Sequence, residues 1–403
     1  MRTVIKNIRI ITGTQQVVEH GSLQFENGRI TQISEADLPG DHVIDGTGKT
    51  LIPGLIDCHV HLGMEVPGGN YEAQAENPTE LGARIMRQCM EFPKYGITCV
   101  RNAGTERDGD LTARNVFQKY GAAAIRILAS GTPISITGGH GNLAEGFDSR
   151  DEVLKETRRK IKQGVDVIKF VVTGGMGTKY SKPGSVQYTL EELAPAASEA
   201  NFCGKITMAH CTSLEGAKNA IRAGVRSIEH AQLDEETVQM MREREQNGDE
   251  IFFCPTLITR DSILRCELPE FAWLREKADP GDMERKMNAV RLCRQYGIRI
   301  CASTDTNTPF VAIGDTIKEI ALYTACGLTN LEALQTATRN AAELCRIDQE
   351  TGTLEAGKSA DFVILAEMCI RDRPSTRWRS AIPQSVLRPT GAGDMRRAST
   401  SMG

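Results

Sequence analysis

From residue 51 to about 345 the chain repeats one unit: a short apolar run, a loop, then a helical segment. Apolar runs of strand character lie at residues 51–62, 96–101, 124–129, 165–172, 205–210, 225–230, 251–255 and 298–305. Eight strands alternating with helices over roughly 300 residues is the size and order of a (β/α)8 TIM barrel. A doubly wound open sheet is the competing architecture, but it would show a glycine-rich phosphate turn after the first strand, and none is present. Helix boundaries support the alternation. Asn77-Pro78 gives a cap followed by proline at the first helical position, with Leu81, Ile85 and Met86 on one face. Asp148 or Ser149 can cap a helix that stops at Gly164, and Thr189-Leu-Glu-Glu192 is a capping box. Residues 328–342 read as one helix that closes the barrel.

The flanks differ. Residues 1–50 hold strand-like pieces at 4–11, 21–25, 30–33 and 42–45, with Asn27-Gly28 as a hairpin signal. Residues 351–365 return to short strands. The expected organisation is therefore α/β: a small β-sandwich subdomain from 1–53 plus 351–366, and the barrel over 54–350. Residues 367–403 change character, with seven Arg, no Lys and no periodicity. An ordinary reading is a disordered basic tail that binds something acidic. The favoured one is that Met368-Cys-Ile-Arg-Asp-Arg373 marks out-of-frame or adapter-derived sequence, which resequencing the source gene tests. No function is assigned to it.

A net charge of −4 with a quarter of residues charged gives no reason to expect nucleic acid or a membrane surface as partner. No apolar stretch approaches the ~18–20 residues of a transmembrane helix, and the first residues lack the apolar core and cleavage site of a signal peptide. Twelve cysteines without a C-x-x-C pair read as reduced thiols, mostly buried. A cytoplasmic protein is expected.

Chemistry concentrates at strand ends. His59-Val-His61 closes the first strand, and a spacing of two aims both imidazoles at one face, which suits a metal ion. Of seven histidines, five lie at or near strand ends: His59, His61, His140, His210 and His230. A single such histidine is commonly a satisfied core residue; four at the ends of strands one, five and six are hard to explain by packing. Asp305 ends strand eight where a core strand should stay apolar, and Lys169 sits inside Val-Ile-Lys-Phe-Val-Val. Burial of an ammonium is costly and lowers its pKa. Lys169 is either half of a salt bridge inside the barrel or a neutral amine that is chemically modified. His20 and His42 read as surface or structural.

As a set these residues resemble the binuclear amidohydrolase superfamily, in the branch of Xaa-Pro dipeptidases and imidazolonepropionase-like proteins. The resemblance spans about residues 1–366. It is carried by Pro53-Gly-Leu-Ile-Asp-Cys-His-Val-His61, Ser130-Gly-Thr-Pro133, Gly138-Gly-His-Gly141, Val167-Ile-Lys-Phe170, Met208-Ala-His-Cys211, Ser227-Ile-Glu-His230, Pro255-Thr-Leu257 and Ser303-Thr-Asp-Thr306. It implies two divalent metal ions, with zinc the first candidate and manganese or cobalt alternatives. His59, His61 and Asp305 would hold the more buried ion and His210 and His230 the other. Lys169, carbamylated by carbon dioxide, would bridge them. A hydroxide held between the ions would attack an amide carbonyl that His140 helps to polarise, and Asp305 would pass its proton to the leaving amine. The alternative for His140 is an ordinary loop histidine bonded to backbone, but its glycine-rich flanks allow close approach of a substrate and favour the catalytic reading.

The implied substrate is a small amide: a dipeptide of Xaa-Pro or other type, or an N-acyl amino acid. In dipeptidases of this branch a tyrosine just after the strand-six histidine holds the substrate carboxylate; here that place reads Ala231-Gln232. Strand two carries Arg101-Asn-Ala-Gly104, where relatives often have Asp at the place of Asn102. Lys179, Tyr180 and Arg260 are candidate carboxylate holders on mouth loops, each also readable as an ordinary solvated residue. Thr256, Leu257 and Ile258 suggest a pocket for an apolar or small side chain. The rivals are a cyclic-amide hydrolase, a deaminase, or a metal-free scaffold with no activity. The expected assembly is a homo-oligomer.

Overall fold

The computed structural model describes residues 1–65, 77–121, 125–141, 145–178, 181–308 and 310–366. The tail from 367, and with it the frame reading, lies outside the described residues, as do Lys179 and Tyr180.

Six strands form one hydrogen-bonded sheet: β1 (Arg2–Ile11), β2 (Val17–Glu26), β3 (Arg29–Ser34), β4 (His42–Asp45), β5 (Thr50–Pro53) and, from the far end of the described chain, β14 (Phe362–Leu365). The order is β14-β5-β1-β2-β3, with β4 also on β1. Asn27 and Gly28 both take positive φ (49° and 75°), the conformation that a tight two-residue hairpin requires. Register shifts in β1 at Ile5/Ile8 and Ile8/Ile10 let β4 and β5 share one of its edges. Ile5, Ile8, Ile10, Leu23 and Phe362 are buried together, and Phe25 meets Phe362 edge-on at 5.5 Å.

The run 51–62 is two strands, not one. β5 belongs to the sheet above, whereas β6 (Leu55–Val60) starts the parallel layer. Gly54 is the pivot: a Cβ there would collide with Thr98 and Asp361 side chains, so only glycine lets the chain change sheets here.

Seven further parallel strands follow: β7 (Ile97–Asn102), β8 (Arg126–Leu128), β9 (Val167–Val171), β10 (Ile206–His210), β11 (Ser227–Glu229), β12 (Phe252–Cys254) and β13 (Arg299–Ile300). They pair in chain order as β6-β7-β8 and β9 through β13. Backbone hydrogen bonds cross both gaps. Ile134 N–H donates to the Lys169 carbonyl (2.8 Å) and Val171 N–H to that of Ile134 (2.9 Å). On the other side, Cys58 N–H donates to Ala302 (2.9 Å) and Asp305 N–H to His59 (2.8 Å). Strand eight, expected over 298–305, keeps ladder pairing only at Arg299–Ile300; beyond it Ala302 N–H turns to the Thr336 carbonyl (2.8 Å) and Asp305 enters the left-handed region at φ 62°.

Twelve α-helices are assigned among the described residues: α1 (Pro78–Glu91), α2 (Gly109–Tyr120), α3 (Arg150–Gln163), α4 (Leu190–Phe202), α5 (Leu214–Arg222), α6 (Glu235–Gln246), α7 (Leu257–Arg265), α8 (Ala272–Lys277), α9 (Asp282–Tyr296), α10 (Thr316–Ala325), α11 (Asn330–Thr336) and α12 (Arg339–Leu344). Local chemistry sets several ends. Asn77 accepts from the N–H groups of Thr79 and Glu80, Ser149 caps α3, which ends on left-handed Gly164, and Thr189 and Glu192 form the capping box of α4. The single closing helix expected over 328–342 is broken between α11 and α12. Thr336 and Thr338 hydroxyls bond back to the carbonyls of Ala333 and Leu334, which bends helices, and the freed carbonyls of Thr336 and Ala337 accept from Ala302 and Ile56. Cys203 excepted, the cysteines of the described residues are buried, and none of them is in a disulfide.

Candidate metal centre

The histidines singled out at strand ends lie close together, and the rings of His59, His61, His140 and His230 are each oriented by a specific partner. His59, fully buried after β6, places Nδ1 2.8 Å from Glu229 Oε2. A carboxylate only accepts, so Nδ1 carries the proton and Nε2 presents a lone pair. His61 places Nδ1 2.9 Å from the Gly104 carbonyl, which fixes the same tautomer. His230 follows β11 with φ 68°, and its Nδ1 lies 2.7 Å from Thr256 Oγ1. That hydroxyl already donates to the Pro255 carbonyl (2.8 Å), so it accepts from His230. Thr256 also has positive φ (50°), as Asp305 does; three strand-end residues in this uncommon region are held there by their bonds.

The lone pairs meet. Asp305 Oδ1 lies 3.1 Å from His61 Nε2 and 3.4 Å from His59 Nε2. Ligand atoms of His59, His61 and Asp305 all fall within 4.8 Å of one another. Two acceptor nitrogens and an anionic oxygen at that range repel unless a cation sits among them. The buried Nε2 atoms of His59 and His210 have no hydrogen-bond partner among the described residues, an arrangement that is costly unless something binds there. The rings of His210 and His230 are 4.6 Å apart by centroid, and His230 and His59 are 4.6 Å apart as well, so the second pair adjoins the first. A nitrogen-rich set with one carboxylate fits zinc-type divalent ions.

Lys169 is buried on β9, opposite Met208 of β10. Burial pushes its ammonium down to about 8, with the carboxylates of Glu229 and Asp305 opposing the shift. Burial opposes ionisation of Asp305 too, yet the adjoining His61, with His59 and Lys169 nearby, holds its carboxyl well below the usual range. His140, on the loop after β8, is pushed down to about 3, chiefly by burial. Its Nδ1 meets Thr178 Oγ1 at 2.9 Å, its backbone N–H donates to Gln187 Oε1 (2.8 Å), and its ring lies 4.5 Å from that of His210. Gly175 makes this possible, since a Cβ there would run into the imidazole.

Beneath the histidines lies a buried network that the sequence reading passed over. Arg101 Nη2 donates to Glu229 Oε1 (2.9 Å), its Nε to the Cys58 carbonyl (2.6 Å), and its Nη1 to Ser227 Oγ (2.7 Å). Burial alone would raise the Glu229 carboxyl; Arg101 and His59 bring it down to about 2. Glu229 therefore stays charged and fixes the His59 tautomer, as carboxylates behind metal-binding histidines do. The signal was legible: Arg101 and Glu229 are charged residues inside short apolar strands, as Lys169 is.

The cavity above has an empty volume of about 630 Å³, its open mouth included. His140, His210, His230 and Asp305 form its floor. Arg260 lines the wall, together with Thr256, Met176, Ile263 and Leu274. Of the three carboxylate-holder candidates, the described structure places only Arg260, on α7.

Comparison with known proteins agrees with this geometry. A family model described as "Amidohydrolase family" matches residues 50–387. An ochratoxinase of Aspergillus niger is 27% identical over 92% of this chain and 82% of its own length. An imidazolonepropionase of Mesorhizobium japonicum is 25% identical over 86% of this chain and 87% of its own. The crystal structure of a Xaa-Pro dipeptidase with methionine bound in its active site superposes with a TM-score of 0.80 at 29% identity, covering 92% of this chain and 95% of that one.

Proposed function

The chain belongs to the amidohydrolase family, and on that premise we propose that it hydrolyses the C–N amide bond of a small substrate, a dipeptide (Xaa-Pro or other) or an N-acyl amino acid. We read the parallel strands as one (β/α)8 barrel over 54–350, carrying a β-sandwich-like subdomain from 1–53 and 351–366. The observation that carries the reading is the gathering of His59, His61 and Asp305 ligand atoms within 4.8 Å of one another, with the buried Nε2 atoms of His59 and His210 lacking a hydrogen-bond partner among the described residues. His59, His61 and Asp305 would hold one divalent ion and His210 and His230 a second, with Lys169 as a carbamate between them.

Such ions, zinc being the first candidate, would supply an activated water and polarise the carbonyl. The chain's own groups do the rest. Lys169 Nζ, which burial brings down to about 8, adds through its neutral fraction to carbon dioxide and releases a proton, so a costly buried cation becomes an anion. Asp305 takes the proton of the attacking water and delivers it to the leaving nitrogen. His140, neutral and held by Thr178 and Gln187, presents Nε2 to the substrate oxygen. Glu229 and Arg101 keep the His59 ring in place.

The test is metal analysis of protein purified without chelator, followed by a screen of dipeptides and N-acyl amino acids with zinc-loaded protein. About two ions per chain and turnover of a library member are expected; a metal-free protein that turns over nothing rejects the reading in favour of a scaffold. The likeness to an imidazolonepropionase keeps a cyclic-amide hydrolase as the second reading, and cyclic amides belong in the same screen. A single-metal deaminase has no use for Lys169.

A further inference from the structure

The cavity wall formed by α7 and α9 carries two cations that the chemistry above does not use. Arg260 is 7% exposed; its Nη2 lies 2.9 Å from Asp282 Oδ2, while Nε and Nη1 are buried and meet no acceptor among the described residues. Lys286 is 5% exposed and donates to the Pro255 carbonyl (2.8 Å), one of three bonds that an ammonium can make. Both line the cavity whose floor holds His230 and Asp305.

The carboxylate beside Arg260 meets only one of its donors. Asp282 Oδ1 also accepts from Arg285 Nη2 (2.5 Å) and from Gln232 Nε2 (2.8 Å), and Gln232 Oε1 takes Arg285 Nε (2.6 Å). Arg285 also pairs with Asp279 (2.9 Å), so Asp282 is shared between two guanidinium groups and reaches Arg260 only through Nη2, leaving Nε and Nη1 unmet. Glu319, the other buried carboxylate nearby, is occupied by the N–H groups of Leu257 (2.8 Å) and Ile258 (2.6 Å). A buried guanidinium with two donors unmet is unfavourable until an acceptor arrives. Gln232, close to where dipeptidases of this type place a carboxylate-holding tyrosine, is committed to this network.

We propose that Arg260 and Lys286 together hold the free carboxylate of the substrate, which rests on the hydrolase reading above and deepens it. The substrate class is then an N-acyl amino acid or dipeptide with an unblocked carboxyl terminus. Its side chain lies against Met176, Ile263 and Leu274, which give the same cavity an apolar face. An amide or ester at that terminus lacks the charge and is discriminated against.

The test is calorimetric binding of N-acetyl-L-leucine and N-acetyl-L-leucinamide to the zinc-loaded full chain. The acid is expected to bind at least about tenfold more tightly, the scale of charge-assisted hydrogen bonds. Arg260→Met and Lys286→Met should each remove most of that preference by weakening the acid alone, and Arg260→Lys should retain part of it. Because Arg260→Met strips a partner from Asp282, the double variant Arg260→Met/Asp282→Asn is measured beside it, with thermal melts of all variants. Equal binding of acid and amide by the wild type, no binding of either, or a preference that survives in both single variants overturns the proposal. Preferential binding of the acid without its hydrolysis leaves the clamp standing and counts against the hydrolase reading.

Discussion

Consider the metal-free protein at pH 7 in buffer purged of carbon dioxide, with Lys169 replaced by methionine. In the folded chain this lysine titrates at about 8, against 10.5 for the ordinary side chain, with burial the largest cause. Holding it as an ammonium at neutral pH therefore costs the fold on the order of 3 kcal/mol. Methionine is similar in length, unbranched and free of that cost. The attraction of Glu229 and Asp305 already opposes the shift, so ~3 kcal/mol is the net cost of the charge. Lys169→Met should accordingly be more stable than the wild type in urea unfolding while binding the metal pair poorly and hydrolysing nothing. The pH dependence has a definite sign. Between pH 8 and 10.5 the unfolded wild type binds more protons than the folded one, so its stability rises with pH. The advantage of methionine should be full below about 8 and fade by 10.5. Zinc and bicarbonate should reverse the order, since only lysine can form the carbamate and gain stability from bound metal. Equal stabilities at pH 7, or a difference that does not change between pH 8 and 10.5, would refute the account of Lys169 as a destabilising residue.

Other outcomes follow from the same geometry. Glu229→Gln should cost about 3 kcal/mol in urea unfolding, because Arg101 loses its buried counter-ion, and should weaken metal binding about 10–100-fold in competition assays. His140→Asn should keep both ions by metal analysis and lower kcat/KM about 100-fold. Gly175→Ala puts a methyl where the His140 ring lies; a thermal melt near that of the wild type with a kcat lower by about tenfold or more is expected.

Much of the candidate ligand set was legible because its members break a local rule. Lys169 and Asp305 are charges in apolar strands, and His59 and His61 share the period of a strand. Helix starts at Asn77, Ser149 and Thr189 were equally plain, because a cap is a bond between near neighbours. The break near Thr338 and the pivot at Gly54 were not, since both depend on contacts with residues far along the chain: Ala302 and Ile56 in one case, Thr98 and Asp361 in the other. The wall cations were hidden for a related reason. Arg260 and Lys286 lie on helices of ordinary amphipathic composition, and only the folded chain shows that two donors of the buried Arg260 meet no acceptor among the described residues.

The pairing of β14 with β5 bears on how the protein is made. Strand β5 lies two residues before β6 and its histidines, yet its outer edge is completed by Phe362–Leu365, which leaves the ribosome after every parallel strand. Until then β5 presents an open row of backbone donors and acceptors next to the segment that carries His59 and His61. The Gly54 N–H waits for the Asp361 carbonyl (3.0 Å), and the Thr98 hydroxyl for the Asp361 side chain (3.0 Å). The nascent chain can build its parallel layer strand by strand, but this seam closes late, so a release that stops short of residue 366 exposes a sticky edge beside the site.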